Sequence, residues 1–141
     1  MAEQITFSKI QYNRLNSRQR ENYNFQKVSA ILADYGFVTM RLSDDWQGAD
    51  FIAQHVSGSF LKVQLKGRLE INKKYIDKEI WMCFLALDGD GCYLFSHDEV
   101  KDWLLRNTTI GESKSWLQNG VYNWGKPNAS IKDFLETHRL R

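Results

Sequence analysis

The chain has 141 residues, of which 43% are hydrophobic and 26% are charged, and its formal net charge is +2. The length is typical of one domain, and the composition excludes a mostly disordered or collagen-like chain. No apolar run approaches the roughly 20 residues of a membrane helix, and the N-terminal sequence lacks the apolar stretch of a signal peptide. We therefore expect a single cytoplasmic domain over 1–141 with no membrane partner.

The first predicted element is a helix over 17–35. Its apolar residues recur at helical spacing, and Gly36 stands where such a helix would end. Glu21 falls on the same stripe as Phe25 and Val28, because the successive spacings of four and three residues lie along one helix face. A carboxylate there either belongs to a site beside the core or has already left the core, and both interpretations remain open.

The middle of the chain predicts strands. Alternation and β-branched or aromatic residues favour strands over 37–42, 49–56, 60–66, 80–87 and 92–95. By composition, 43–48 is predicted as a turn between the first two strands. The two strands after residue 80 pair across Asp88-Gly89-Asp90-Gly91, a sequence typical of hairpin turns. The order is therefore one helix, three strands and a further strand pair.

The C-terminal third is less regular. Ser96 and Glu99 have the spacing of a capping box, which predicts a helix beginning at that point. Residues 108–127 are predicted to be irregular, with large aromatic side chains that either pack on the core or bind a partner. Ser130 is a candidate cap for a short final helix.

One group of residues suggests chemistry. Alternation along 60–66 places Gln64 and Lys66 on one face of a strand, and Asp50 opens the strand before it. A short turn at 57–59 makes these strands antiparallel, so the three side chains can meet at one end of a sheet. Oxygen ligands that hold Mg²⁺, together with a lysine that stabilises developing charge, suit phosphodiester hydrolysis.

The predicted helix, followed by 48–53 and 60–68, resembles the core of the PD-(D/E)XK nuclease superfamily, which includes restriction endonucleases and archaeal Holliday-junction resolvases. The resemblance covers about 17–105 and leaves 106–141 as an irregular aromatic segment with a short C-terminal helix. It implies a restriction-endonuclease-like α/β fold, in which helices flank a mixed central sheet.

The same resemblance implies roles for four residues. Asp50 and Gln64 would bind Mg²⁺ or Mn²⁺, Lys66 would be the catalytic lysine, and Glu21 would be the glutamate that many members carry on the preceding helix. The family pattern has a carboxylate where this chain has Gln64. Some members of the superfamily tolerate Gln at this position, often with a carboxylate supplied from elsewhere. The candidates in the sequence are Glu21, Asp44, Asp45 and Glu70.

Basic residues are concentrated within 62–78, which favours a basic face for a polyanion, although an ordinary solvated surface explains the same pattern. The predicted contacts to DNA phosphate are Lys62, Arg68, Lys73 and Lys74. The favoured function is a Mg²⁺-dependent DNA nuclease, dimeric by analogy with small nucleases. Two alternatives remain: a catalytically inactive nucleic-acid-binding module of the same fold, and a protein-interaction module of a mobile-element or defence system.

Overall fold

The computed structural model describes residues 4–141. Within this range, helices α1, α2 and α3 span Ser17–Asp34, His97–Asn107 and Ala129–Glu136. The strands β1 to β8 span Phe37–Trp46, Ala49–His55, Phe60–Leu65, Glu70–Asn72, Ile80–Leu85, Cys92–Ser96, Val121–Asn123 and Arg139–Leu140. No helix in the described part of the chain is long and apolar enough to cross a membrane.

The main sheet has the strand order β1-β2-β3-β5-β6-β8. Its β3 and β5 strands are parallel, whereas the other neighbours are antiparallel. A parallel pair needs a crossover connection, and here it contains β4, which pairs with β7 in a separate small sheet. The prediction of an α/β fold with a mixed central sheet flanked by helices is confirmed.

Buried side chains form a core on each face of the sheet. In β5, Met82 and Phe84 belong to one core and Cys83 to the other, as alternation along a strand requires. The core that contains Cys83 is closed by Val28 and Leu32 of α1. The opposite core includes side chains from α2, α3 and the crossover. Apolar layers thus cover both faces of the sheet, and the ends of the strands remain available for a functional site.

The predicted turn at 43–48 is wrong. Strand β1 continues to Trp46, and its register with β2 shifts between Arg41 and Trp46. The turn itself is made by Gln47 and Gly48, which have φ angles of 53° and 88°. The serine and two aspartates before Trp46 suggested a turn because they are polar, but polar residues are also common on an exposed edge strand.

The helix ends also differ from the predictions. The side chain of Ser96 makes no capping hydrogen bond to α2. Helix α3 is capped by Asn128, whose side chain accepts a hydrogen bond from the backbone of Ile131, so Ser130 is not the cap. Helix α1 begins with a capping box that the sequence analysis missed, formed by Asn16 and Gln19.

The segment 108–127 is more regular than predicted. It contains two short helical turns, Ile110–Glu112 and Ser115–Asn119, and the strand β7. Beyond this segment, β8 joins the main sheet beside β6. Within the segment, Trp116 is buried in the core. The aromatic residue therefore anchors this segment to the domain.

Candidate active site

An open cavity of about 440 Å³ lies where the first residues of β2 meet the last residues of β3. Asp50, Gln64 and Lys66 all line it, as does Glu21 from α1. Its remaining wall comes largely from β1, including Arg41, Asp44 and Asp45. The structure thus places all four sequence-predicted residues around one space.

The register of β2 and β3 explains why Asp50 and Gln64 lie together. Phe51 pairs with Val63, and both side chains are buried in the core beneath α1. Residues directly opposite in an antiparallel pair share one face, so the next pair outwards, Asp50 with Gln64, shares the other face. The carboxylate of Asp50 also accepts a hydrogen bond of 2.9 Å from the backbone N–H of Leu65. This bond fixes Asp50 against the end of β3.

Neighbouring groups offset only part of the cost of burying the negative charge of Asp50. Burial raises its pKa, and this effect outweighs the hydrogen bond from Leu65 and the positive charge of Lys66. The negative charges of Asp45 and Glu21 raise the pKa further. A nearby cation would stabilise the ionised form of a carboxyl group in such surroundings.

Lys66 is held by groups outside the cavity wall. Its ammonium group lies 3.1 Å from the carboxylate of Glu70, and only 25% of its side chain is exposed. Burial lowers the pKa of Lys66, but the nearby hydroxyl of Tyr75 and the carboxylate of Glu70 outweigh that effect, so the pKa lies above its ordinary value. Lys66 therefore carries a positive charge at neutral pH.

Glu21 lies at the rim of the cavity. Its side chain is 70% exposed, so this position has left the core although Val28 on the same helix face is buried. The nearest cation to its carboxylate is Arg41, at 4.0 Å, and Arg41 also donates a hydrogen bond to the side chain of Asn22. Because an exposed pair at this distance contributes little, Glu21 can turn to another cation at low cost.

The register shift in β1 brings a further carboxylate near the cavity. Arg41 pairs with Phe51, but Trp46 pairs with Ala49, so β1 gains extra residues relative to β2. Continued from that last pair, the register sets Asp45 beside Asp50. The sequence identified Asp45 only as one of four candidates, because a bulge is not visible in a hydrophobic pattern.

The donor set of this cavity fits magnesium better than zinc. Among residues 4–141, no three His, Cys, Asp or Glu side chains lie close enough together to hold a metal ion. A structural zinc site requires four such ligands, whereas Mg²⁺ is commonly bound by one or two carboxylates, waters and a substrate phosphate. The Asp50 carboxylate and the Gln64 amide oxygen match that smaller requirement.

The four basic residues predicted to contact phosphate do not form one group. Lys62 donates a hydrogen bond of 3.1 Å to Gln47 and lines a separate cavity. Lys73 lies over the ring of Trp116, and Lys74 over the ring of Tyr75. Arg68 lines another cavity, which is described below as the second cavity. Their contacts with DNA therefore remain predictions.

Sequence reasoning missed the support that Lys66 receives from the crossover and from α2. His97 is fully buried, and its Nε2 accepts a hydrogen bond from the backbone N–H of Asn72. Its ring packs edge-on against Tyr75, which in turn lies beside Lys66. No local pattern in the sequence links Lys66, Tyr75 and His97, because they are distant from one another along the chain.

Comparisons with known proteins add little to this description. No protein-family model matches the sequence. No curated protein matches it either. Among solved structures, the chain is similar to the bacterial homing endonuclease I-Ssp6803I, with a TM-score of 0.49 and 10% identity over 87% of this chain and 94% of that one. Because the TM-score is below 0.5, we transfer neither a fold nor a function from that protein.

Proposed function

We propose that this protein is a divalent-metal-dependent nuclease that hydrolyses DNA phosphodiester bonds. The observation that supports the proposal is the placement of Asp50, Gln64 and Lys66 around one open cavity. An oxygen-donor pair beside a fixed cation is the arrangement that phosphoryl chemistry uses, since the reaction develops negative charge on phosphate oxygens. The resemblance to the PD-(D/E)XK superfamily assigns the same roles to these residues.

Asp50 and Gln64 would hold the metal ion, with Glu21 close enough to the cavity to add a second carboxylate. A bound Mg²⁺ or Mn²⁺ would supply Lewis-acid activation of the phosphate and of the attacking water. Asp50 provides the negative charge of the pair, while Gln64 provides only an amide dipole. The proposed site therefore binds metal weakly without a phosphate ligand.

Lys66 would stabilise the transition state. Its raised pKa keeps it protonated, and Glu70 and Tyr75 limit the positions that its ammonium group can adopt. A preoriented cation is effective because it need not reorganise as charge develops on the phosphate. A nuclease of this size would act as a homodimer to cut both strands of a duplex.

The test is nicking of supercoiled plasmid, with and without Mg²⁺, by the wild-type protein and three variants. We expect Asp50→Ala to abolish nicking and to remove metal binding. Lys66→Ala should retain metal binding but slow nicking. Gln64→Glu should bind metal more tightly, because it adds a negative charge. A wild-type protein that neither nicks plasmid nor cleaves branched DNA would contradict the proposal.

A second candidate is a nucleic-acid-binding module that has lost catalysis, and Gln64 is the specific observation that favours it. If wild type binds DNA without cutting while Gln64→Glu gains Mg²⁺-dependent nicking, this second function holds. If no variant cuts or binds DNA, both candidates fail, and a protein-interaction role replaces them.

A further inference from the structure

A second cavity, of about 470 Å³, adjoins the candidate active site. Gly67 lines both cavities, so their rims meet directly after Lys66. The volume lies within the range of small-molecule sites, about 300–1,000 Å³. None of the residues assigned to catalysis lines this second cavity, and it therefore requires its own explanation.

Three aromatic side chains contribute to its wall. Phe84, Tyr93 and Trp124 all line the cavity. Tyr93 is fixed against Phe84, with ring centroids 4.9 Å apart, and the hydroxyl of Tyr93 contacts the guanidinium of Arg139. Trp124 is half-buried, and its backbone N–H is bound to the carbonyl of Leu69 at 3.0 Å. These contacts present flat apolar surfaces in fixed positions.

The unpaired charge at the cavity is positive. Asp88 and Glu136 line it, but both are bound by Arg139, at 2.9 and 2.8 Å. Arg68 and Lys132 also line the cavity, are exposed, and form no ion pair with any other residue in 4–141. An anionic ligand with an aromatic part therefore matches both the wall and the charge.

We propose that this second cavity binds an unpaired nucleotide of the DNA substrate, with its base against the aromatic wall and its phosphates near Arg68 and Lys132. This inference rests on the proposed nuclease function, and it narrows the substrate to DNA that has an unpaired base beside the bond to be cut. The shared rim at Gly67 supports it, because neighbouring nucleotides of one strand would then occupy the two cavities. Base stacking on aromatic side chains is the usual basis of single-strand recognition.

The test is fluorescence anisotropy of labelled DNA in EDTA, where no metal-dependent cutting occurs. The two probes are a blunt duplex and the same duplex with a single-stranded extension. We expect wild type to bind the extended probe roughly tenfold more tightly than the blunt duplex, which is the range for one stacked base. Trp124→Ala should lose this preference and retain its affinity for the blunt duplex.

Trp124→Phe keeps an aromatic ring and should retain most of the preference, which separates stacking from a loss of folding. The matched control is Phe60→Ala, an exposed aromatic residue at the start of β3 that is outside this cavity. Equal binding of both probes by wild type, or equal weakening of both by Trp124→Ala, would overturn the inference. If the preference holds but plasmid is not nicked, only the proposed nuclease function fails.

Discussion

Asp50 and Arg139 are both charged groups in cavities that meet at Gly67, yet their surroundings differ. Arg139 is only 8% exposed and is bound by two carboxylates and a tyrosine hydroxyl, and its hydrogen bond with Asp88 is the main reason that its pKa is raised. Asp50 has one backbone hydrogen bond, and burial raises its pKa. The Arg139 guanidinium is thus compensated by neighbouring groups, apart from its Nε, whereas the charge of Asp50 is only partly compensated, an environment that is common at functional sites.

The largest effect that this contrast predicts is on catalysis. Lys66→Ala should slow Mg²⁺-dependent plasmid nicking by roughly 10²- to 10³-fold, which is the usual loss when one preoriented charge-stabilising group is removed. The control is Lys27→Ala, an exposed lysine on α1 that lies outside the cavity and should leave the rate unchanged. If both variants nick at the wild-type rate, Lys66 has no part in the reaction.

The next effect is on stability and concerns Arg139. Arg139→Met keeps the length of the side chain but removes its side-chain hydrogen bonds, and it leaves Asp88 without a cation, whereas Glu136 keeps Arg141 at 3.7 Å. We expect the unfolding midpoint to fall by roughly 3–8 °C in a thermal melt. The control is Arg106→Met on α2, which forms no ion pair with any described residue and should shift the midpoint little. Equal shifts would show that the Arg139 network adds no stability.

Replacing Asp50 should raise thermal stability at neutral pH, in contrast to replacing Arg139. Because its pKa is raised in the folded state, ionisation of Asp50 costs more in the folded protein than in the unfolded chain. Its contribution to stability is therefore greatest at low pH and is lost as pH rises through the raised pKa. Asp50→Asn should therefore raise the melting midpoint of the metal-free protein at neutral pH.

The gain from Asp50→Asn should vanish in acid, where the wild-type carboxyl is protonated as well. Added Mg²⁺ should raise the melting midpoint of wild type but not that of the variant, because only wild type carries the charge that binds the ion. Thermal melts at two pH values, with and without Mg²⁺, check all of these differences. A destabilised Asp50→Asn protein at neutral pH would contradict the account.

The smallest effect concerns Glu70. Glu70→Gln removes a charge that raises the pKa of Lys66, so the alkaline fall in nicking rate should begin at lower pH than in wild type. At neutral pH Lys66 stays protonated, and the rate should fall only about 2- to 10-fold through looser positioning. Glu70→Asp should restore most of the pH profile. An unchanged profile in Glu70→Gln would show that Glu70 does not act through Lys66.

The sequence predicted the strands of the candidate site well because their pattern is local. Alternation through Gln64 and Lys66 and the short turn before Phe60 determine both the face and the direction of β3. The same reasoning placed Glu21 on the correct helix face, although it could not show that the side chain lies at the cavity rim. Patterns of this kind depend on neighbours within a few residues.

The features that were missed depend on contacts between distant segments. The irregular register that brings Asp45 towards Asp50 leaves no signal in the hydrophobic pattern, because the polar residues 43–45 within it are exposed. Tyr75 lies beside Lys66 on the crossover, which His97 of α2 contacts through the backbone of Asn72 and the ring of Tyr75. The second cavity joins residues near 68, 90, 124 and 139, and no single stretch of sequence predicts it.

The most direct test of the central claim is a crystal grown with Mn²⁺ and a DNA fragment, using anomalous diffraction to locate the metal. The account predicts an anomalous peak within about 2.1–2.3 Å of a carboxylate oxygen of Asp50 and the amide oxygen of Gln64, with Lys66 facing the bound phosphate. Density for DNA in the cavity without a peak there, or a peak at residues elsewhere, would contradict it.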